Sequence, residues 1–281
     1  MKTTTVELAA EMRSQLIQRI EADDLELPVL PDSTSRVLAL SQDPDAEARQ
    51  LSDLIQRDPA LAGHVLRIAN SAAYAAREPI VSLQQAVSRL GMSTLADIAI
   101  AATMNAKVFA VKGHDTEMRT MRTHSALAAV WTREVARLRR RNVEAAFLTG
   151  LLHDVGKPIL LQAIFQMPNA TELDGETVRG WIDELHASVG ARLLLRWQLP
   201  HWVSSAVRGH HDPDEAGDQS DLAATVLLGD VLSHWTAAPD AEHEERIRQH
   251  TVLARLGLYP EDLDELFTRR GVVDTISKAF A

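Results

Sequence analysis

Apolar residues along this 281-residue chain recur mostly every third or fourth position, and few stretches alternate with period two. That spacing is what amphipathic helices produce, and it predicts an all-α protein. Over residues 1–23, Val6, Leu8, Met12, Leu16 and Ile20 fall on one helical face. The proline-punctuated residues 25–31 then read as an extended linker. Beyond it the spacing predicts helices over 34–42, 47–57, 59–70, 83–90 and about 93–110. Pro31, Asp32 and Ser33 offer capping to the first of these, Pro59 suits a first helical turn, and Ser82 and Gly91 bracket 83–90. Asn70 and Ser71, with the short alanine run to Tyr74, mark a helix end, where the two polar residues read as caps.

Lys112, Gly113 and His114 read as a boundary. Past it, helices are predicted over 115–138, 143–153, 176–186, 187–197, 201–210 and 221–235, and the charged tail from 240 reads as two or three peripheral helices. The expected organisation is an N-terminal helix (1–24), a helical lobe (25–112) and a second helical lobe with peripheral C-terminal helices (113–281).

Composition narrows the class of protein. Apolar residues make up 46% and charged residues 24%, as in ordinary globular chains. No apolar run reaches the length of a membrane span, and the charged N-terminus lacks the apolar core of a signal peptide. The absence of cysteine excludes disulfides and thiolate metal ligands, and the expected compartment is the cytoplasm. A net charge of −10 argues against broad nucleic-acid binding. The one dense basic cluster, from Arg137 to Arg141, reads as a solvated helix C-terminus whose cations complement the helix dipole.

The candidate chemistry centres on Gly150-Leu151-Leu152-His153-Asp154-Val155-Gly156-Lys157. Neighbours on a helix point about 100° apart, so His153 and Asp154 reach one centre only at a helix end. His210 and His211 pose the same geometry. Histidine and carboxylate without cysteine suit Fe, Mn, Zn or Ni. A lone histidine on a helix is ordinarily packed or solvated, so spacing alone does not define a site. His64 reads as a partly buried core residue, and Trp197 and Trp202 as packing residues. His201, His234, His243 and His250 have no motif around them and are left out of the candidate site.

A series of short motifs extends the picture. They are Leu27-Pro28-Val29-Leu30-Pro31, Leu54-Ile55-Gln56-Arg57-Asp58-Pro59-Ala60-Leu61, Val65-Leu66-Arg67-Ile68-Ala69-Asn70-Ser71-Ala72 and the stretch from Ser82 to Gly91. The stretch from Gly150 to Lys157, then His186-Ala187-Ser188-Val189-Gly190-Ala191 and Trp197-Gln198-Leu199-Pro200 before His210-His211, complete it. In order and density the chain resembles the HDOD proteins, the output-domain branch of the HD superfamily. The resemblance implies a two-lobed helical fold with an HD-type helical core in the second lobe. It also implies a signalling or regulatory module acting through protein contacts, with a signalling protein as partner.

Many HDOD proteins lack the metal ligands of their catalytic relatives. Here the positions used by the related HD-GYP phosphodiesterases resemble His124, His153, Asp154, His186, His210, His211 and Asp230. By that resemblance Asp154 bridges two divalent transition-metal ions, Fe or Mn by preference and Zn or Ni as alternatives. His124, His153 and Asp230 complete one position, and His186, His210 and His211 the other. Lys157 would face a substrate phosphate. The alternative function is therefore a metal-dependent phosphohydrolase acting on a nucleotide or cyclic dinucleotide, with Asp154 and Lys157 catalytic. Two departures stand out. Thr120 occupies the place of a carboxylate four residues before His124, and Asp212-Pro213-Asp214-Glu215-Ala216-Gly217 replaces the GYP segment.

Overall fold

The computed structural model describes residues 5–71, 74, 79–104 and 111–280. Expectations for the Val6 side chain, residues 72–73 and residues 105–110 lie outside the described residues. Every regular element among the described residues is helical, as the apolar spacing predicts. Helix α1 (Thr5–Glu21) is followed by α2 (Asp32–Ser41), α3 (Ala48–Gln56), α4 (Pro59–Ala69) and α5 (Leu83–Met104). Helix α5 is interrupted at Gly91, whose φ of +80° is open to glycine and strained for other residues. Helices α2 to α5 pack on one another.

The local signals mostly act as expected. Asp58 caps α4 by accepting from the backbone N–H groups of Ala60 and Leu61, with Pro59 in the first turn. Two signals act differently, and Asn70 does more than expected. Ser33 does not cap α2; its hydroxyl donates to the Asp58 carboxylate at 2.8 Å, tying α2 to the start of α4. Asn70 ends α4 as a cap, its amide donating to the Leu66 carbonyl at 2.9 Å, and is also a clasp: the amide donates to the Ile80 carbonyl at 2.8 Å and its oxygen accepts from the Ile80 N–H at 2.7 Å. The arginine cluster is only partly solvated, because Arg139 is nearly buried and spans to the Asp221 carboxylate and the Leu256 carbonyl.

The second half is organised around α6 (Asp115–Leu138), whose run from Ser125 to Thr132 is buried on all sides. Around it lie α7 (Val143–Leu152), α8 (Gly156–Phe165), α9 (Gly175–Arg196), α10 (His201–Arg208) and α11 (Ser220–Ala237). Asn142 caps α7 and Asp174 caps α9 through backbone N–H groups. The predicted break at His186 does not occur: α9 runs unbroken, since no proline there removes a backbone hydrogen bond, and His186 Nδ1 also donates to the Ile182 carbonyl one turn back. Two glycines set the spacing. A side chain at Gly229 would collide with Thr132, so α11 lies directly against α6. One at Gly156 would collide with the His186 carbonyl, so the start of α8 lies directly on α9.

The tail forms α12 (Ala241–Arg248), α13 (Val252–Leu256), α14 (Pro260–Thr268) and α15 (Arg270–Ser277), more helices than its charge suggested. Nor are they all peripheral. Helix α15 packs on α6, and Val273, Leu266 and Phe280 are buried in the main core. None of the described helices is long and apolar enough to cross a membrane.

Candidate metal centre

His153 is the residue that ends α7, and Asp154 and Val155 form the turn into α8. The adjacent pair therefore sits at a helix end, where both side chains turn inward. His210 and His211 likewise follow the end of α10 at Gly209. His124 comes from α6, His186 from α9 and Asp230 from α11. Five helical segments thus bring all seven histidine and aspartate positions to one place. His153, His186 and His210 are fully buried, as are both carboxylates nearly so, whereas His211 is exposed.

The distances define two halves joined by Asp154. Its Oδ2 lies 3.3 Å from His124 Nε2 and 3.4 Å from His153 Nε2. Its Oδ1 lies 3.2 Å from His186 Nε2 and 3.9 Å from His210 Nε2. Asp230 Oδ1 joins the first half, 3.0 Å from His124 Nε2 and 3.7 Å from His153 Nε2. His211 joins the second, with Nε2 3.0 Å from His186 Nε2. His124–His153–Asp230 and His186–His210–His211 each offer three convergent ligand atoms.

The ring orientations are fixed from behind. His153 Nδ1 lies 2.8 Å from the Gly150 carbonyl, His186 Nδ1 2.9 Å from the Ile182 carbonyl and His210 Nδ1 2.6 Å from the Val207 carbonyl. A carbonyl only accepts, so each Nδ1 carries the proton. Ser233 donates its hydroxyl to the Asp230 carbonyl, which leaves its oxygen to accept from His124 Nδ1 at 3.1 Å. In the neutral rings all four Nε2 atoms therefore present bare lone pairs to the centre. They meet there as close as 3.2 Å and 3.3 Å. Asp154 Oδ1 and Asp230 Oδ1 are buried beside them and accept no hydrogen bond. Lone pairs facing lone pairs and carboxylates repel unless a cation lies between them. This donor set fits a divalent metal, and the carbonyl bonds behind the rings are the arrangement that orients metal-binding histidines.

The electrostatics agree. Burial pushes the Asp154 carboxyl up, but the neighbouring rings of His153, His124 and His186, together with Lys157, override it and hold the group well below the usual range. Asp230 behaves alike: burial is overcome by His124, His153 and His234. Burial lowers His124, yet its two carboxylate neighbours win and push it up to about 9. His210 is held well below its ordinary value by burial and by the neighbouring histidines. Without metal, a proton on His124 thus takes the place of a cation.

Lys157, in the first turn of α8, places Nζ 2.7 Å from Asp154 Oδ2. It also lines a cavity of about 490 Å³ that reaches the centre at His124 and Asp154. Arg119 and Arg179 add cations to its wall, and Met121, Leu127 and Ile182 an apolar face. Thr120 lines the same cavity, with its hydroxyl bonded to the Thr116 carbonyl. The segment in place of GYP folds away from it: Pro213–Gln219 is a 3-10 helix capped by Asp212, and Asp214 pairs with Arg255 at 2.6 Å. His234, left out on sequence grounds, lies at the edge of the centre, with Nε2 3.3 Å from Asp230 Oδ1. Its only signal is the four-residue spacing from Asp230 on one face of α11.

A family model described as the HDOD domain matches residues 27–213. An uncharacterized protein of Treponema pallidum (strain Nichols) is 24% identical over 244 residues, which are 82% of this chain and 45% of that protein. The chain thus spans less than half the length of that relative. Among solved structures, a candidate metal-dependent phosphohydrolase from Shewanella amazonensis superposes with a TM-score of 0.78 at 21% identity, over 97% of this chain and 99% of that one. An HDOD domain protein of unknown function from Geobacter sulfurreducens gives 0.72 at 22% identity, over the same shares of each chain. At these identities the likeness is one of fold.

Proposed function

The chain belongs to the HDOD family, and from that premise we propose that it is a regulatory HDOD module whose second half holds a dinuclear divalent-metal centre able to hydrolyse a phosphoester. The carrying observation is the set of four imidazoles locked from behind, with Nε2 atoms aimed at two buried carboxylate oxygens that accept no hydrogen bond. His124, His153 and Asp230 would hold one ion, His186, His210 and His211 the other, and Asp154 would bridge them. Fe or Mn suits this nitrogen and oxygen set, with Zn or Ni as alternatives. Bound metal would supply a hydroxide at neutral pH and neutralise charge on a phosphoryl group.

The protein's own groups add to this. Lys157 sits between the centre and the cavity, and on metal loading its ammonium is free to leave Asp154 and meet a ligand phosphate. Arg119 and Arg179 favour an anion, and the apolar wall suits a nucleoside-like body. The candidate phosphohydrolase from Shewanella amazonensis shares the fold, which is compatible with this reading. The outward placement of residues 212–219 weighs against cyclic-dinucleotide handling of the HD-GYP kind and favours a smaller phosphoester.

The signalling role through protein contacts rests on membership of the HDOD family. Among the described residues, helices α2 to α5 contribute no side chain to the centre or to its cavity.

The test is elemental analysis of chain purified without chelator and loaded with Mn or Fe, followed by a phosphoesterase screen. About two ions per chain are expected, falling sharply in Asp154→Asn, because the bridging oxygens of a dinuclear site are lost. Metal content below roughly a tenth of an ion per chain would remove the proposal, since an assembled site of this kind binds its metal tightly. Turnover that survives Asp154→Ala would remove the hydrolytic part. The signalling reading expects partner capture unaffected by Asp154→Asn.

A further inference from the structure

The cavity does not reach both halves of the centre equally. It is lined by His124 and Asp154, while His186, His210 and His211 do not line it. The cavity therefore opens on the half of the centre that holds His124. His234 stands on that side, one helical turn beyond Asp230 on α11, and lines the same cavity. Its Nε2 is 3.3 Å from Asp230 Oδ1, and its ring lies tilted on that of His124, with centroids 4.6 Å apart. Three imidazole nitrogens, from His124, His153 and His234, thus surround one buried carboxylate oxygen that accepts no hydrogen bond.

His234 differs from the other two in one respect: its side chain is 64% exposed, against 14% for His124 and 1% for His153. His124 and His153 are held in place through Nδ1, whereas an exposed ring at the cavity mouth keeps its rotamer freedom.

Resting on the metal reading above, we propose that His234 is a displaceable donor to the ion held by His124, His153 and Asp230. It closes the cavity-side position in the resting protein and yields it to an incoming phosphate oxygen. The proposal assigns His234 two opposed effects: it retains the metal, and it competes with the ligand. A residue that only decorates the surface has neither. A residue that grips the ligand has the second with opposite sign.

The experiment uses the full chain loaded with Mn²⁺, as wild type and as His234→Ala and His234→Asn. Mn²⁺ release to excess chelator is followed over time, and inorganic phosphate binding to the loaded protein is measured by calorimetry. Circular dichroism checks that the variants fold. In both variants the faster-released ion should leave about tenfold faster or more, the lower end of what loss of a supporting ligand group does to metal affinity. The slower ion should be unchanged, and phosphate should bind more tightly than to wild type. Release at the wild-type rate overturns the proposal. So does faster release accompanied by weaker phosphate binding, because His234 would then hold the ligand rather than yield to it. Wild type that takes up no Mn²⁺ is a different failure: it removes the metal centre itself.

Discussion

Stripping the centre of metal should make stability depend on the protonation of His124. Its pKa rises from an ordinary 6.5 to about 9 because two buried carboxylates, 3.0 Å and 3.3 Å away, outweigh the burial that opposes its charge. A raised folded-state pKa contributes stability that is complete below pH 6.5 and is lost as pH climbs through 9. At 1.36 kcal/mol per unit, the change amounts to about 3 kcal/mol. On the acid side the sign reverses. His210 and His211 are both lowered, chiefly by burial, so the unfolded chain takes up their protons first and stability also falls below pH 6.5. The metal-free protein should therefore be most stable near pH 6.5. The assay is urea unfolding of chelator-treated protein from pH 5.5 to 9.5 at fixed ionic strength. His124→Asn should flatten the alkaline limb, and Mn²⁺ loading should abolish it, because the ion replaces the proton between the carboxylates. A flat alkaline limb in the wild type, or the same limb in His124→Asn, would refute the electrostatic reasoning.

Two further perturbations separate the centre from its surroundings. Gly156→Ala places a methyl group against the His186 carbonyl and the Gly190 backbone, which cannot swing aside. It should destabilise by about 1–3 kcal/mol as overpacking does, and because α8 must move off α9 it should also lower Mn²⁺ content; full occupancy in the variant would show that the contact does not set the spacing of Asp154 and His186. Asn70→Ala leaves the nearly buried Ile80 amide and carbonyl without partners and should cost about 1–3 kcal/mol in urea unfolding, with metal content unchanged; a loss of metal would reveal coupling from α4 to the centre.

How much of this was legible beforehand depends on what kind of contact is involved. Apolar spacing shows which face of a helix turns inward, so the long helices α6 and α11 were readable to within a few residues. It becomes weak for segments of one or two turns. Val252–Leu256 has five residues and Arg270–Ser277 eight, too few for a period to emerge from a charged tail. The sequence reads as two helices, 176–186 and 187–197, where the structure has one, Gly175–Arg196. The bond from His186 Nδ1 to the Ile182 carbonyl, which fixes the ring against an unbroken helix, has no separate signature in the sequence.

The centre divides along the same line. Paired residues such as His153-Asp154 and His210-His211 announce themselves, because only a chain turn lets both neighbours face one point, and each pair does sit at a helix end. His234 gives no such sign. An aspartate and a histidine three or four apart occur on any solvated helix face, and such spacing does not separate Asp230–His234 from Asp240–His243, where Asp240 merely caps an outlying helix by accepting from the His243 N–H. What distinguishes it is three-dimensional: Gly229 lets α11 lie directly on α6, and that contact brings His124 from α6 against both Asp230 and His234. A residue that joins a site through helix-to-helix distance is visible only once that distance is known. For this reason Gly229, which carries no side chain at all, belongs to the physical account of the centre: a larger residue there would lift Asp230 and His234 away from His124 together.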